Sequence, residues 1–387
     1  MPIDDVETLD RYRPGGYHPV TVGEQLGGRY SIVHRLGFVA IKIPVATRGS
    51  TETRQIDILR WLNKTGLGEK AHPGAAYIPS ILDSFSLSGP NGVHHCYVTE
   101  PGMTSLGEAK DASSIRLFQL PVARAMAAQL VQAVAFLHSQ GIVHGDLHDG
   151  NVLVRLPGSR DSLSPEQLYE KYGSPRYEPV VRLDQGPLPV GVPENVIVPI
   201  WLGKESELVD LSEAQIILTD FGDSNAPEVL TPPEVYFEPR KSLSFPADIW
   251  TLASQRPLFE GYNPSADWVI KEQVDCLGKL PAPWWLKWDA RAKWFNEDGE
   301  RKIEAHSRPL EQRFDDSVRQ PREEFRMDEV DETEKVALLS MLKAMRAFNP
   351  EERPTAQEVL NCEWMQKWAL PEFPQFTATS RSHTPCT

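Results

Sequence analysis

The sequence predicts an α+β protein in two lobes, a small β-rich lobe followed by a larger helical one. Three observations carry that expectation. Between Tyr30 and Glu100, short runs rich in β-branched and aromatic residues surround one helical pattern. After Pro101-Gly102 the apolar spacing becomes mainly helical. Two acidic motifs then stand at strand boundaries, on the loop entering one strand and at the end of another, where two lobes would meet.

The elements follow in order. Residues 1–20 are rich in Pro and Gly and read as an N-terminal arm. Tyr30-Ser31-Ile32-Val33 and Phe38 to Ile43 read as strands, and Thr51 to Leu62 as a helix whose Ile58, Leu59 and Leu62 share a face. Val93 to Thr99 is a further strand and ends the small lobe, placed at residues 21–102. The large lobe, 103–370, opens with a helical run, Ala125 to Ser139, ahead of the strand Val152-Leu153-Val154. Residues 157 to about 212 carry many Pro and Gly and are too long for a tight connection. They read as an insertion packed on the lobes, with a short helix near Pro165 to Tyr172. The end, 371–387, is Ser/Thr-rich and reads as a disordered tail.

Composition excludes several classes. No apolar run approaches the roughly 18 residues of a membrane span. The acidic start, Met1-Pro2-Ile3-Asp4-Asp5, lacks a signal peptide's basic and apolar regions. The four cysteines are far apart and read as reduced thiols, which fits a cytoplasmic and nuclear protein. A net charge of -14 argues against nucleic acid as a direct ligand and suits basic protein partners. A monomer is expected.

The chemistry is concentrated in His144-Gly145-Asp146-Leu147-His148-Asp149-Gly150-Asn151, a loop between helix and strand. An Asp and an Asn at this spacing serve phosphoryl transfer from ATP: Asp146 accepts the proton of the attacking hydroxyl, and Asn151 holds Mg2+. The second metal acid is Asp220, in Thr219-Asp220-Phe221-Gly222 at a later strand end. Val39-Ala40-Ile41-Lys42 matches a strand whose lysine contacts the α- and β-phosphates. A carbonyl at Glu100 and an N–H at Gly102, where the chain passes between lobes, would read the adenine edge. The lysine's usual glutamate is replaced by Gln55, so either Glu52 substitutes through a register shift or Lys42 is held less firmly. Downstream, Pro232-Pro233-Glu234, Asp248-Ile249-Trp250 and Arg353 complete a series: a Glu for a buried pair with the Arg, and an Asp that ties to the loop backbone.

With these residues in hand, the chain resembles the eukaryotic protein kinases, and within them the fungal-type SR-protein kinases. Tyr12 to Val20, Arg29-Tyr30, Phe245 to Trp250, Leu277 to Pro281 and Trp284-Trp285 carry the closer likeness, which runs from about Tyr12 to Trp368. The resemblance implies a serine/threonine kinase using ATP and Mg2+ on Arg/Ser-rich proteins. It also implies that Gly145 stands where most such loops have an Arg, and His148 where they have a Lys. Asp267, Glu272 and Asp275, on a helix from Ser265 to Leu277, are the acids expected in a groove for Arg-rich chains, unless they form an ordinary solvated face.

Three departures from the family pattern stand out. Between Leu36-Gly37 and Phe38 the glycine-rich phosphate loop and its following strand are missing. The stretch from Asp220 to Glu234 is short, and after Ala253 roughly half of a central buried helix is lost. Such gaps fit a decayed kinase or a mis-spliced one, which keeps a pseudokinase scaffold as the alternative function. A small-molecule kinase of the aminoglycoside or choline type shares the loop but not the Glu234, Asp248 and Arg353 series.

Overall fold

The computed structural model describes residues 8–33, 39–46, 54–68, 71–156, 164–198, 201–221, 228–253, 265–302 and 308–372. The small lobe begins with a short antiparallel hairpin, β1 (Gln25–Leu26) and β2 (Tyr30–Ser31). Its main sheet has the order β3-β5-β4, all antiparallel: β3 (Ala40–Lys42), β4 (Ile81–Gly89) and β5 (Gly92–Thr99). Helix α1 (Arg54–Thr65) packs on this sheet through Ile56, Leu59 and Leu62. It runs a turn further than the apolar spacing suggests, because Thr65 donates its hydroxyl back to Trp61 and Leu62 carbonyls, and Gly66 N–H closes on Leu62 O. Conversely β2 and β3 are shorter than expected. The expected start of β3 at Phe38, the glycine-loop region at 34–38 and Glu52 lie outside the described residues.

The N-terminal arm is fastened to this lobe. Tyr12 is buried against Tyr17 edge to face, and Asn91 receives Gly15 N–H while donating its amide to Tyr17 O at 2.7 Å. The turn between them demands glycine: a Cβ at Gly16 would sit 1.9 Å from Arg11 O.

The large lobe starts with β6 (Gly102–Ser105) and α2 (Leu106–Ala112), the latter held by a Ser105/Glu108 capping box. β6 joins β7 (Val152–Arg155) and β10 (Ile216–Leu218) in the order β10-β7-β6. Behind them lies α3 (Leu120–Ser139), with 13 buried residues, around which the rest of the lobe packs. It alone among the described helices is long and apolar enough to cross a membrane, with mean hydropathy 1.5, but 72% of that window is buried inside the fold. The run read in the sequence as beginning at Ala125 thus begins at Leu120 and is a core helix, carrying polar residues such as Gln129 that the interior satisfies. Gln129 donates to Ala214 O and accepts from Ile216 N–H, tying α3 to β10.

The insertion contains the expected helix, α4 (Pro165–Tyr172), and a hairpin that its Pro/Gly content concealed, β8 (Arg176–Pro179) with β9 (Asn195–Val198). It packs on both lobes. Tyr169 Oη donates to Val33 O and Asn91 Nδ2 to Gly191 O on the small lobe, while Trp201 Nε1 donates to Thr104 Oγ1 and Ser206 Oγ to Leu117 O on the large one.

Further helices complete the large lobe: α5 (Pro233–Phe237), α6 (Phe245–Leu252), α7 (Ala266–Leu277), α8 (Ala282–Trp285), α9 (Leu310–Phe314) and α10 (Gln320–Glu324). After them come α11 (Glu332–Met345), α12 (Ala356–Leu360) and α13 (Leu370–Glu372). One apolar core runs from Leu59 of α1 through Met103 to α3, β7, β10 and α12; a second gathers Phe237, Ile270, Trp284, Trp285 and Trp288. The residues following α6 at 254–264, those following Phe221 at 222–227, and the tail beyond 372 lie outside the described residues, so the shortened helix and segment expected there are not described.

Helix α7 overturns the expected docking groove. Glu272 is buried and bound by Lys271 and Arg313, Asp275 is 2% exposed and bound by Lys271 and Arg301, and Asp267 accepts from Trp288 Nε1 at 2.9 Å. These acids are neither a free groove nor a solvated face. Lys271 lies on the same helix, but the arginines that also neutralise two of them come from 26 and 41 residues downstream, where helix spacing cannot reveal them.

Candidate active site

The loop after α3 is shaped by its backbone. Gly145 adopts φ 80°, in the left-handed region that glycine occupies without penalty. Asp248, 1% exposed at the start of α6, accepts the N–H of His144 on Oδ2 at 2.8 Å and of Gly145 on Oδ1 at 2.9 Å, and His138 Nε2 of α3 meets Oδ2 at 3.0 Å. The expected tie between Asp248 and the loop backbone is therefore present, with His138 as a member the sequence did not reveal. His144 turns inward and bonds Thr219 O, joining the loop to the end of β10. Burial lowers the His144 pKa, so a neutral ring fills this position.

Asp146 and Asn151 face one another. Asn151 Nδ2 donates to Asp146 O at 3.0 Å, which engages the amide nitrogen on the loop and leaves the amide oxygen as the group with metal-ligand chemistry. Asp146 Oδ1 is buried and has no hydrogen-bond partner among the described residues; His148 Nε2 stands 3.8 Å away. Burial raises the Asp146 pKa, against the pull of His148 and His144. An unpartnered carboxylate oxygen held in a rigid loop is the arrangement needed to receive a hydroxyl proton.

Asp220 follows β10 with φ 66°, a conformation uncommon outside glycine and tolerated best by Asp and Asn. Thr219 N–H and Oγ1 both donate to Asn151 O, setting Asp220 beside the Asp146–Asn151 pair. Lys42 Nζ and Gln55 Nε2 both donate to Asp220 Oδ1, the latter at 3.0 Å. Burial alone would raise this carboxyl, but Lys42, with Gln55 and His144, holds it below the usual carboxylate range. Glu52 lies outside the described residues, and the structure places Gln55 on the acid and not on the lysine. Asn151 and Asp220 are hard oxygen ligands suited to Mg2+, which typically takes one or two protein carboxylates and completes its shell with phosphate and water.

Glu100 and Gly102 lie behind this corner. Thr99 pairs with Ala40 of β3, so the chain leaves the small lobe two residues from Lys42. Glu100 is clamped by Arg155, which also donates to Ala76 O, and Gly102 stands opposite Arg155 in the β6–β7 register. A Cβ at Gly102 would lie 2.6 Å from Leu153 Cδ1, so the crossing itself requires glycine. Gly222 lies outside the described residues.

Below the loop, Arg353 grips Glu234 with two bonds of 2.7 Å and also donates to the carbonyls of Ala347, Pro246 and Phe348. Its side chain is 0% exposed. The buried pair expected between these residues is formed.

A two-lobed fold with this loop, this strand-end acid and this buried pair defines a protein kinase. No protein-family model matches the chain. A serine/threonine protein kinase of Aspergillus fumigatus is 24% identical over 396 residues, covering 93% of this chain and 90% of that one. The serine/threonine-protein kinase SRPK of Physarum polycephalum is 25% identical over 415 residues, 93% of this chain and 91% of that one. Human SRSF protein kinase 3 is 30% identical over 171 residues, 39% of this chain and 30% of that one. The chain is a serine/threonine protein kinase, similar over nearly its whole length to an SRPK.

Proposed function

We propose that this kinase transfers the γ-phosphate of ATP, with Mg2+, to serines in Arg-rich segments of proteins, acting as a monomer in cytoplasm and nucleus. The observation that carries the reading is the buried, unpartnered Oδ1 of Asp146 beside Asn151 and Asp220. In this reading Asp146 takes the hydroxyl proton, Asn151 and Asp220 hold the metal, and Lys42 leaves Asp220 to meet the phosphates. The metal supplies charge neutralisation on the phosphates. Glu100 and Gly102 offer backbone to the adenine. The small lobe at 21–102 would carry the nucleotide and the large lobe at 103–370 the peptide, with the arm at 1–20 and the tail at 371–387 outside both.

Binding of Arg-rich substrates finds no support in α7, whose acids are already paired, so other acids of this negatively charged chain would serve. The Glu234–Arg353 pair weighs against a small-molecule kinase. One observation favours the pseudokinase scaffold: Asp220 Oδ1 already accepts from both Lys42 and Gln55. The decisive experiment is ATP-dependent phosphate incorporation into an Arg-Ser repeat peptide, comparing the wild type with Asp146→Asn. Incorporation by the wild type alone supports the enzyme; equal background from both would leave the scaffold.

A further inference from the structure

Gln55 sits in the first turns of α1, half-buried, where the helix meets the end of β10. Its amide nitrogen donates to Oδ1 of Asp220 at 3.0 Å, the same oxygen that Lys42 binds. The nearest described acid of α1, Asp57, is largely exposed and faces Arg60 at 3.9 Å. Among the described residues, then, no carboxylate of α1 meets Lys42; the helix addresses the acid of the corner, not its base.

The chemistry of the side chain fits that address. A glutamate here would set a second carboxylate about 3 Å from the first, and like charges so close disfavour each other's ionised form. A neutral carboxamide supplies a donor without adding charge. Two donors converging on Oδ1 fix the rotation of the Asp220 carboxylate, and among the described residues no donor meets Oδ2.

We propose that Gln55 is a positioning residue for Asp220: it orients the carboxylate that takes the metal, and it does not serve as a partner of Lys42. The inference rests on the reading that Asp220 binds Mg2+ together with the nucleotide. Groups that hold a metal ligand through a hydrogen bond commonly change metal affinity by about 10–100-fold when removed. Gln55→Met keeps the length of the side chain and removes the donor. Gln55→Ala repeats the removal without the thioether, should the bulk of Met disturb α1.

The full-length chain is titrated with magnesium chloride at fixed adenylyl imidodiphosphate, and nucleotide affinity is measured separately in EDTA. Gln55→Met and Gln55→Ala should raise the half-saturating Mg2+ concentration about tenfold, leaving metal-free nucleotide affinity unchanged. A loss of metal-free affinity matching that of Lys42→Met would overturn the proposal and return Gln55 to the lysine. An unchanged Mg2+ titration in both variants would overturn it too. Asp220→Asn separates the two levels of the argument. If that variant loses the Mg2+ response while the Gln55 variants keep it, only the role of Gln55 fails. If the wild type shows no Mg2+ effect, or Asp220→Asn responds to Mg2+ as the wild type does, the metal assignment fails and Gln55 falls with it.

Discussion

The corner around Arg353 and the corner around Lys42 are both built on an ion pair, yet they differ in kind. Arg353 is wholly shielded, takes both oxygens of Glu234 and spends its other donors on three backbone carbonyls. Lys42 and Asp220 are 42% and 38% exposed and share one oxygen with an amide. The first arrangement fixes the fold, because removing one partner strands a buried charge. The second is open to water and so to exchange, which a site that must admit phosphates and a metal requires. The difference shows that the same residue types can be scaffold or machinery, and burial decides which.

The largest effect should come from breaking the scaffold. Arg353→Ala should cost about 3–5 kcal/mol of unfolding free energy in denaturant titration. Lys42→Ala should cost at most about 1 kcal/mol in the same assay while weakening nucleotide binding. Similar losses from the two variants would erase the contrast. Helix α7 extends the scaffold side: reversing Glu272 and Asp275 to Lys should lower the melting temperature sharply, since Arg313 and Arg301 would then face like charges in a buried site. A stable double variant with reduced peptide binding would instead restore the groove expected from the sequence.

On the machinery side, Asp146→Asn should slow phosphate transfer by about 10²–10⁴-fold with nucleotide affinity unchanged, measured by incorporation and by equilibrium binding. A smaller effect is expected on pH dependence. Burial raises the Asp146 pKa, and the base works only when ionised, so the acid limb of kcat/KM should lie above the ordinary aspartate value of about 4. A limb at or below that value would contradict the buried base. The smallest effect concerns stability. A carboxyl with a raised folded-state pKa stabilises below its unfolded pKa, and that contribution is lost as pH rises through the folded one. At neutral pH Asp146 therefore strains the fold, and Asp146→Asn should melt slightly higher than the wild type. A lower melting point would show that the carboxylate is better solvated than its burial indicates.

How much of this was legible depends on where partners lie in the sequence. Asp248 and Arg353 could be read because each belongs to a motif with a fixed role, and both contacts formed as expected. The apolar runs located β3, β5, β7, β10, α1, α3 and α7, though turns and caps moved several of their ends, but not the nine-residue β4 or the fourteen-residue α11. What could not be read was pairing across long separations without a motif. Gln55 meets Asp220 from 165 residues away, and the carboxylates of α7 meet arginines that helical spacing does not place beside them. The β8–β9 hairpin stayed hidden because Pro179 and the prolines before Asn195 look like loop, yet Val196, Ile197 and Val198 pair across to Glu178, Tyr177 and Arg176.

The ties of Asp248 also set an order of assembly. It organises His144 and Gly145 from 104 and 103 residues away, and Arg353 closes on Glu234 across 119. Contacts of such separation must repay the entropy of closing long loops, so they come late in folding. As the chain emerges from its N-terminal end, the β4–β5 hairpin and α3 can form from nearby neighbours. The loop holding Asp146 cannot take its final shape until α6 has been made, nor can α5 be locked until nearly the whole chain is present. The part of the molecule that carries the reactive carboxylate is thus among the last to become itself.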